Sequence, residues 1–193
     1  RQPGEVAFVG LDDALLARAQ GLDSDARGLL DVVATAASPL PHPVVAEAAG
    51  LAPSDYADRT AVLRASRLVR ISGIRREDTV EPYHDRVREA VYDHLTGARR
   101  LALHDRLASV LITHGGDAAL VAAHLSRGSR PEESVPHFLR AAREARAALA
   151  FERAAKLLRS ALAHGRFVDA ERRGILVDLA ENEHVLGIAG PMT

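Results

Sequence analysis

His84 and Asp85 are the two residues of this sequence best placed to do chemistry. They follow a β-hairpin pattern and precede Val87, Ala90 and Val91, which recur at the spacing of one helix face. A helix N-terminus presents free N–H groups and partial positive charge, so a histidine there can help to bind an anion such as phosphate. The same spacing also fits an ordinary helix start, in which Asp85 is the N-cap and His84 is half-buried. Spacing alone leaves both interpretations open.

The other polar residues predict neither a catalytic site nor a metal site. The sequence lacks His-Glu-x-x-His, Gly-x-Ser-x-Gly and a Gly-rich dinucleotide loop, and Lys156, its only lysine, is not part of a Gly-Lys-Ser/Thr loop. Ten residues along one helix separate two side chains by roughly 80°, so histidines at that spacing are not expected to share a ligand face. Neither catalysis nor a cofactor is therefore expected within this segment. The histidines at this spacing are His84, His94, His104, His114 and His124.

The composition indicates a folded protein without an obvious nucleic-acid partner. The chain has 193 residues, of which 47% are hydrophobic, enough for one large or two small domains. Its formal charge is −1 and opposite charges are interspersed, unlike the basic excess of many nucleic-acid-binding proteins. Cysteine is absent, and no apolar run is long enough for a transmembrane helix or signal peptide. A cytoplasmic location is expected.

The two ends of the sequence suggest a segment of a longer protein. The chain begins at Arg1 rather than Met and ends at Thr193, shortly after a helical pattern. Residues 1–22 read as an irregular segment followed by a short amphipathic helix after Gly10, which we expect to complete a preceding domain. Catalytic parts of the parent protein are expected to lie outside this chain.

Residues 23–96 begin with the pattern of three helices. Asp23 is a capping signal for the first helix. Pro43 suits the first turn of a second helix, Gly50 suits the position just past its end, and Ser54 is expected to cap a third. The residues expected on the inner faces of these helices are Leu29, Leu30, Val33, Ala37, Val44, Val45, Ala48, Tyr56, Thr60 and Leu63.

A β-hairpin pattern follows the third helix. Residues 68–72 alternate like a half-buried strand, residues 75–78 are a polar turn, and residues 79–81 return as a second strand. Three helices followed by a hairpin within about 60 residues predict a winged helix, a variant of the helix-turn-helix.

A winged helix raises the alternative of a DNA-binding transcription regulator. Its reading surface would be the third helix and the wing tip. However, the third helix begins with Asp55 and Asp58, whose carboxylates would repel DNA phosphates where a reading helix meets them. Nucleic acid is therefore not the expected partner. The candidate contacts for this alternative are Arg59, Arg64, Arg67, Arg75 and Arg76.

Residues 97–193 are predicted to be helical hairpins stacked as a short, truncated tetratricopeptide-like array. Groups of four mostly apolar residues recur every 34 positions, which is the tetratricopeptide period, although His104 and Arg172 replace the expected large apolar residue in the first and third groups. Such solenoids bind proteins or ligands on a concave face. The groups are His104, Leu107, Ala108 and Leu111, then Phe138, Ala141, Ala142 and Ala145, then Arg172, Ile175, Leu176 and Leu179, with Ala154, Leu158 and Ala161 on the second helix of the middle repeat.

From Leu11 to Thr193 the chain resembles the middle of bacterial signal-transduction ATPases of the STAND class. The most specific match is residues 84–90 (His-Asp-Arg-Val-Arg-Glu-Ala) after an aromatic residue at the end of a winged helix. The run at residues 148–155 (Ala-Leu-Ala-Phe-Glu-Arg-Ala-Ala) looks most like the version attached to serine/threonine kinases. The family joins an AAA-type ATPase domain to kinase, LuxR-type DNA-binding or adenylyl-cyclase domains.

The resemblance implies a nucleotide-sensing role for His84 and Asp85. In related apoptotic and plant-resistance ATPases, the histidine of a Met-His-Asp motif contacts the β-phosphate of ADP in the resting state; here Tyr83 replaces the methionine. ATP or ADP with Mg would then belong to an upstream nucleotide-binding domain of the same chain. A protein or small-molecule effector would bind the helical repeats, and no membrane partner is expected. A plain protein-binding scaffold, with a purely structural His84, remains a further alternative.

Overall fold

A computed structural model describes residues 17–19, 21–72, 78–185 and 187. These residues are mainly helical and include one small β-sheet, which confirms the mainly α fold predicted from the sequence. The chain divides into two compact units, Arg1–Leu103 and His104–Thr193. Within the described part, no helix is long and apolar enough to cross a membrane. Of the predicted helix at 11–22, residues 11–16 and 20 lie outside the described residues.

The first unit contains helices around a three-stranded antiparallel sheet. Strand β3 lies in the middle, between β1 and β2. The elements are α1 (Ser24–Ala36), β1 (Leu40–Pro41), α2 (His42–Ala49), α3 (Pro53–Ala65), β2 (Val69–Ser72), β3 (Thr79–Pro82) and α4 (Asp85–His94), followed by α5 (Gly97–Thr113).

Helix α1 begins where the sequence predicts it. The Asp23 carboxylate accepts hydrogen bonds from the backbone N–H groups of Asp25 and Ala26, at 3.1 and 2.9 Å, and so caps the helix. Its predicted apolar face is confirmed, because Leu29, Leu30 and Val33 are buried. The prediction that Ala37 lies on this face is wrong: Ala37 ends the helix in the left-handed conformation (φ 54°) and is exposed.

Helices α2 and α3 agree with the prediction except for the N-cap residue of α3. Pro43 lies in the first turn of α2, and Gly50 ends that helix in the left-handed conformation (φ 71°), as predicted. Ser54 is not the cap of α3, because that helix begins one residue earlier, at Pro53, with Ala52 as its N-cap. A proline at the first helical position loses no hydrogen bond there. The predicted inner-face residues Val44, Val45, Ala48, Tyr56, Thr60 and Leu63 are buried.

The predicted hairpin is present, and the sheet has one strand more. Strands β2 and β3 pair antiparallel, with Ile71 opposite Val80. The unpredicted strand β1 pairs with the other edge of β3, with Leu40 opposite Val80. The prolines at 39, 41 and 43 predict a break between helices at this point. They also favour an extended backbone in the residue before each of them, which suits a short strand at the edge of a sheet. The predicted turn at 75–78 lies outside the described residues except for Asp78.

The second unit consists of consecutive helices. A 3-10 turn, Pro131–Ser134, leads directly into helix α7. Small residues on facing sides of α7 and α8 allow those two helices to pack closely. The helices after α5 are α6 (Ala118–Leu125), α7 (Val135–Ala147), α8 (Phe151–His164) and α9 (Asp169–Val185), and the buried residues of α7 and α8 include Phe138, Ala141, Ala142, Ala145, Ala154, Leu158 and Ala161.

The 34-residue groups match the structure to different degrees. All four members of the first group, which begins at His104, are buried, as are those of the second. In the third group only Ile175 is buried, whereas Leu176 is exposed. The inner face of α9 instead continues from Ile175 through Leu179 to the buried Asn182, because residues four and three apart share one face of a helix.

Candidate functional site

His84 is positioned by the end of strand β3 and the start of helix α4. It has extended backbone angles (φ −153°, ψ 152°) and is the N-cap of α4. Its Nδ1 accepts the backbone N–H of Arg86 at 3.2 Å. The interpretation of Asp85 as N-cap is therefore wrong, because Asp85 is already the first residue of the helix. Since Nδ1 accepts, Nε2 carries the proton of the neutral ring.

The side chains of this corner are accessible from outside the protein. His84 and Asp85 are exposed, and the adjacent Tyr83 is 45% exposed. The alternative of a half-buried histidine is therefore wrong. Among the described residues, the His84 side chain has only the Arg86 hydrogen bond, so its Nε2–H can donate to an incoming anion. The first N–H groups of α4 add partial positive charge at the same place.

Two arginines border the same depression, which has a volume of about 210 Å³. Arg70 pairs with Glu81 at 3.0 Å across the hairpin, and Arg88 pairs with Glu89 at 3.2 Å. Exposed ion pairs of this kind contribute little, about 0–1 kcal/mol, so either guanidinium can turn towards a bound anion. The corner can thus offer an imidazole N–H, a helix N-terminus and two guanidinium groups to a phosphate. This arrangement suits the binding of an anion.

His84 also has a structural role, because it is the N-cap of α4 and an N-cap contributes to the stability of its helix. Replacing His84 with Ala is expected to lower the free energy of unfolding by about 0.5–2 kcal/mol, since the Arg86 N–H loses its acceptor. Replacing His84 with Asn is expected to restore most of it, because asparagine is among the preferred N-caps. Urea unfolding of both variants measures the difference. Equal stability of His84→Ala and the wild type would show that the cap contributes nothing.

The structure describes three of the five arginines of the DNA-binding alternative. Arg59 is engaged in the first unit, where its Nε lies 3.2 Å from the Asp23 carboxylate. Arg64 and Arg67 are exposed, and Arg67 lies beyond the end of α3 in the left-handed conformation (φ 56°). The carboxylates of Asp55 and Asp58 are also exposed on α3. Arg75 and Arg76 lie outside the described residues.

Sequence reasoning missed a buried histidine pair in the second unit. The Nδ1 atoms of His104 and His124 are 2.9 Å apart, and the two residues are only 3% and 2% exposed. The expectation about ligand faces concerned histidines along one helix, and it did not address this contact, because His104 and His124 lie on different helices. One signal could have revealed the pair: the glycines at 115 and 116 predict a turn between the two helices that carry these histidines.

Burial keeps both imidazoles of this pair neutral. It lowers the pKa of His104 to about 4, with a smaller contribution from Arg127 and an opposing one from Asp105. Burial, His104 and Arg127 lower the pKa of His124 to about 3. One ring therefore donates through Nδ1–H and the other accepts. The Nε2 atom of His124 is buried without a hydrogen-bond partner among the described residues.

The histidine pair does not form a metal centre. Zinc–nitrogen bonds of about 2.0–2.1 Å in tetrahedral geometry would hold two ligand nitrogens more than 3 Å apart. The described part of the chain contains no group of three or more His, Cys, Asp or Glu side chains able to hold a metal ion. The pair is best understood as a buried hydrogen bond that joins α5 to α6.

Comparison of the chain with protein-family models, curated proteins and solved structures gives no match. The structure brings His84 and Asp85 together at one accessible helix start, next to Arg70 and Arg88. Function is therefore inferred from the geometry of this corner and from the sequence motif around it.

Proposed function

We propose that this chain is the regulatory middle segment of a multidomain signal-transduction ATPase. The observation that carries the proposal is the exposed His84 imidazole at the start of α4. Its Nδ1 is held by the helix, and its Nε2–H has no partner in the described part of the chain. A phosphate group placed there would gain this N–H, the helix N-terminus and a nearby guanidinium.

The architecture of each unit supports the family resemblance. In the first unit, three helices precede a β-hairpin, which is the element order of a winged helix. In the second, α7 and α8 pack as a helical hairpin whose inner positions follow the tetratricopeptide pattern. A winged helix followed by tetratricopeptide-like hairpins is what the resemblance to STAND-class ATPases implies.

The proposed mechanism is a conformational switch. An upstream domain of the same chain binds ATP or ADP with Mg, and in the ADP state the β-phosphate accepts a hydrogen bond from His84. Loss of ADP releases the corner from that domain. The helical repeats sense a partner and pass the change to an output domain such as a serine/threonine kinase or a transcription factor. This mechanism requires two sites coupled through one two-state interface.

Substitution of His84 tests the nucleotide-sensing role in the full-length protein that contains this chain. We expect His84→Asn to weaken ADP binding about ten-fold or more, because it removes a hydrogen bond to a charged phosphate while keeping the helix cap. Isothermal titration with ADP measures the affinity.

The matched control is His184→Asn, which changes an exposed histidine on α9 and should leave ADP affinity unchanged. Unchanged ADP binding by a folded His84→Asn variant would contradict the switch. That result would favour the scaffold alternative, with the corner acting only as a cap.

A DNA-binding regulator remains the second candidate, because Arg64 and Arg67 are exposed and have no ion pair among the described residues. Asp55 and Asp58 on the same helix oppose it through repulsion of phosphates. This alternative requires an affinity for duplex DNA that falls steeply with added salt.

A further inference from the structure

A carboxylate of α5 holds one loop of the second unit. The loop, residues 126–130, joins α6 to the 3-10 turn that precedes α7. The backbone N–H of Ser129 donates to the Asp105 carboxylate at 2.8 Å, across 24 positions of the sequence. Gly128 allows this approach, because a Cβ atom at that position would collide with the same carboxylate. This hydrogen bond, the Asp105 clamp, therefore ties the loop to α5.

The hydroxyl group of Ser129 is accessible to a modifying enzyme. Among the serines that the structure describes, Ser129 alone is both exposed and outside every helix and strand. Its Oγ makes no hydrogen bond to the described residues, whereas the Oγ of Ser126 in the same loop donates to the Ala123 carbonyl at 3.0 Å. An enzyme can therefore reach the Ser129 hydroxyl without unfolding a helix.

Two exposed arginines flank this serine. Arg127 lies two residues before Ser129, and Arg130 follows it directly. The Arg127 guanidinium donates to the Ala123 carbonyl at 3.2 Å, and that of Arg130 pairs with Glu133 at 2.6 Å. Exposed contacts of this kind are weak, so both guanidinium groups can turn towards carboxylates of an approaching protein. Protein kinases select their substrates by charge patterns of this kind.

We propose that Ser129 is a phosphorylation site for a serine/threonine kinase whose substrate cleft is lined by carboxylates, which pair with Arg127 and Arg130. The kinase transfers the γ-phosphoryl group of ATP to the Ser129 Oγ. A new P–O bond forms, the bond between the γ-phosphorus and the oxygen of ADP breaks, the hydroxyl proton passes to a base of the kinase, and ADP leaves. The proposal does not depend on the nucleotide switch.

The phosphate group opens the Asp105 clamp. It carries a charge of about −1.5 to −2 at pH 7. It is attached to the same residue whose N–H lies against the Asp105 carboxylate, so two negative groups are brought together. Repulsion between them separates the loop from α5, and the flanking Arg127 and Arg130 can then pair with the phosphate. Phosphorylation thus changes a contact between two elements of the helical repeats.

Phosphorylation of the purified 193-residue chain tests the site. The probe is ATP with a purified serine/threonine kinase that requires arginine near its target, and mass spectrometry of peptides locates the phosphate. We expect Ser129 to be the main site and Ser129→Ala to lose most of the incorporated phosphate. Ser126→Ala is the matched control in the same loop and should keep the wild-type incorporation. Replacing both Arg127 and Arg130 with Ala should slow the reaction about ten-fold, whereas Arg153→Ala on α8 should not.

Amide hydrogen exchange measures the opening of the Asp105 clamp. Phosphorylation should speed exchange in residues 126–130 about ten-fold or more, because the Ser129 N–H loses its acceptor. Asp105→Asn keeps an acceptor oxygen without the negative charge, so phosphorylation should change exchange less in that variant.

Three results would overturn the proposal: the chain takes up no phosphate, the phosphate lies mainly on another residue, or exchange in residues 126–130 is the same before and after phosphorylation of Ser129. Ser129→Ala keeps the backbone N–H that donates to Asp105, so this variant should fold like the wild type, and circular dichroism checks this. The His84 experiment measures a different site in the first unit, so either proposal can fail while the other stands.

Discussion

Acidification is expected to destabilise the second unit of this chain, with the loss of stability beginning near pH 6.5 and continuing to about pH 3. In the folded state His104 and His124 are buried and their pKa values are lowered to about 4 and about 3 from 6.5. Between the pKa of each histidine in the folded chain and its pKa in the unfolded chain, the unfolded chain binds a proton that the folded chain does not. The free energy of unfolding therefore rises with pH over this interval. Above pH 6.5 both histidines are neutral in the folded and the unfolded chain, and the free energy of unfolding is highest. It decreases as the pH falls below 6.5, because the unfolded chain then binds protons.

The expected size of this effect is large for one hydrogen-bonded pair. A pKa difference of one corresponds to about 1.4 kcal/mol, so His104 alone accounts for about 3 kcal/mol. Urea unfolding followed by circular dichroism at several pH values between 7 and 4 measures it. A free energy of unfolding that stays constant over this range would contradict the prediction.

A double variant separates the pair from other titrating groups. Replacing both His104 and His124 with Phe removes the two titrations while keeping aromatic rings of similar size in the core. We expect this variant to lose most of the pH dependence between 6.5 and 4. The exposed-histidine variant His184→Asn should keep the wild-type dependence.

Truncation of Leu158 is expected to lower the free energy of unfolding of the second unit by about 2–5 kcal/mol. Leu158 is 4% exposed and lies in the cluster with Ala142 and Ile175, so it joins α8 to both of its neighbours. Leu158→Ala leaves a cavity that the small side chain of Ala142 cannot fill. Urea unfolding at pH 7 measures the loss.

Two control substitutions show whether the lower free energy of unfolding comes from the cavity left by Leu158. Leu158→Met nearly conserves volume and should cost less than about 1.5 kcal/mol. Val168 is 66% exposed, so Val168→Ala should change stability by no more than about 0.5 kcal/mol. If Leu158→Ala lowered the free energy of unfolding no more than Val168→Ala does, the cluster of Ala142, Leu158 and Ile175 would not be what holds α9 in place.

The candidate site was predicted in part. The sequence places His84 at a strand-to-helix corner because the apolar spacing after it is helical, and the structure agrees. The sequence does not decide whether His84 or Asp85 is the cap. That choice depends on backbone angles: His84 is extended and Asp85 is already helical. The accessibility of His84 likewise depends on how the hairpin and helix meet.

The sequence by itself determined the local elements, because these depend on residues near one another in the chain. Helical spacing located the inner faces of α1 to α3, strand alternation located β2 and β3, and the 34-residue period located the buried faces of α7 and α8. Only the tertiary structure decided which distant segments meet. It paired β1 with β3, placed His104 against His124 and turned Asn182 inwards. Such contacts join residues on different elements, and spacing along a single element cannot predict them.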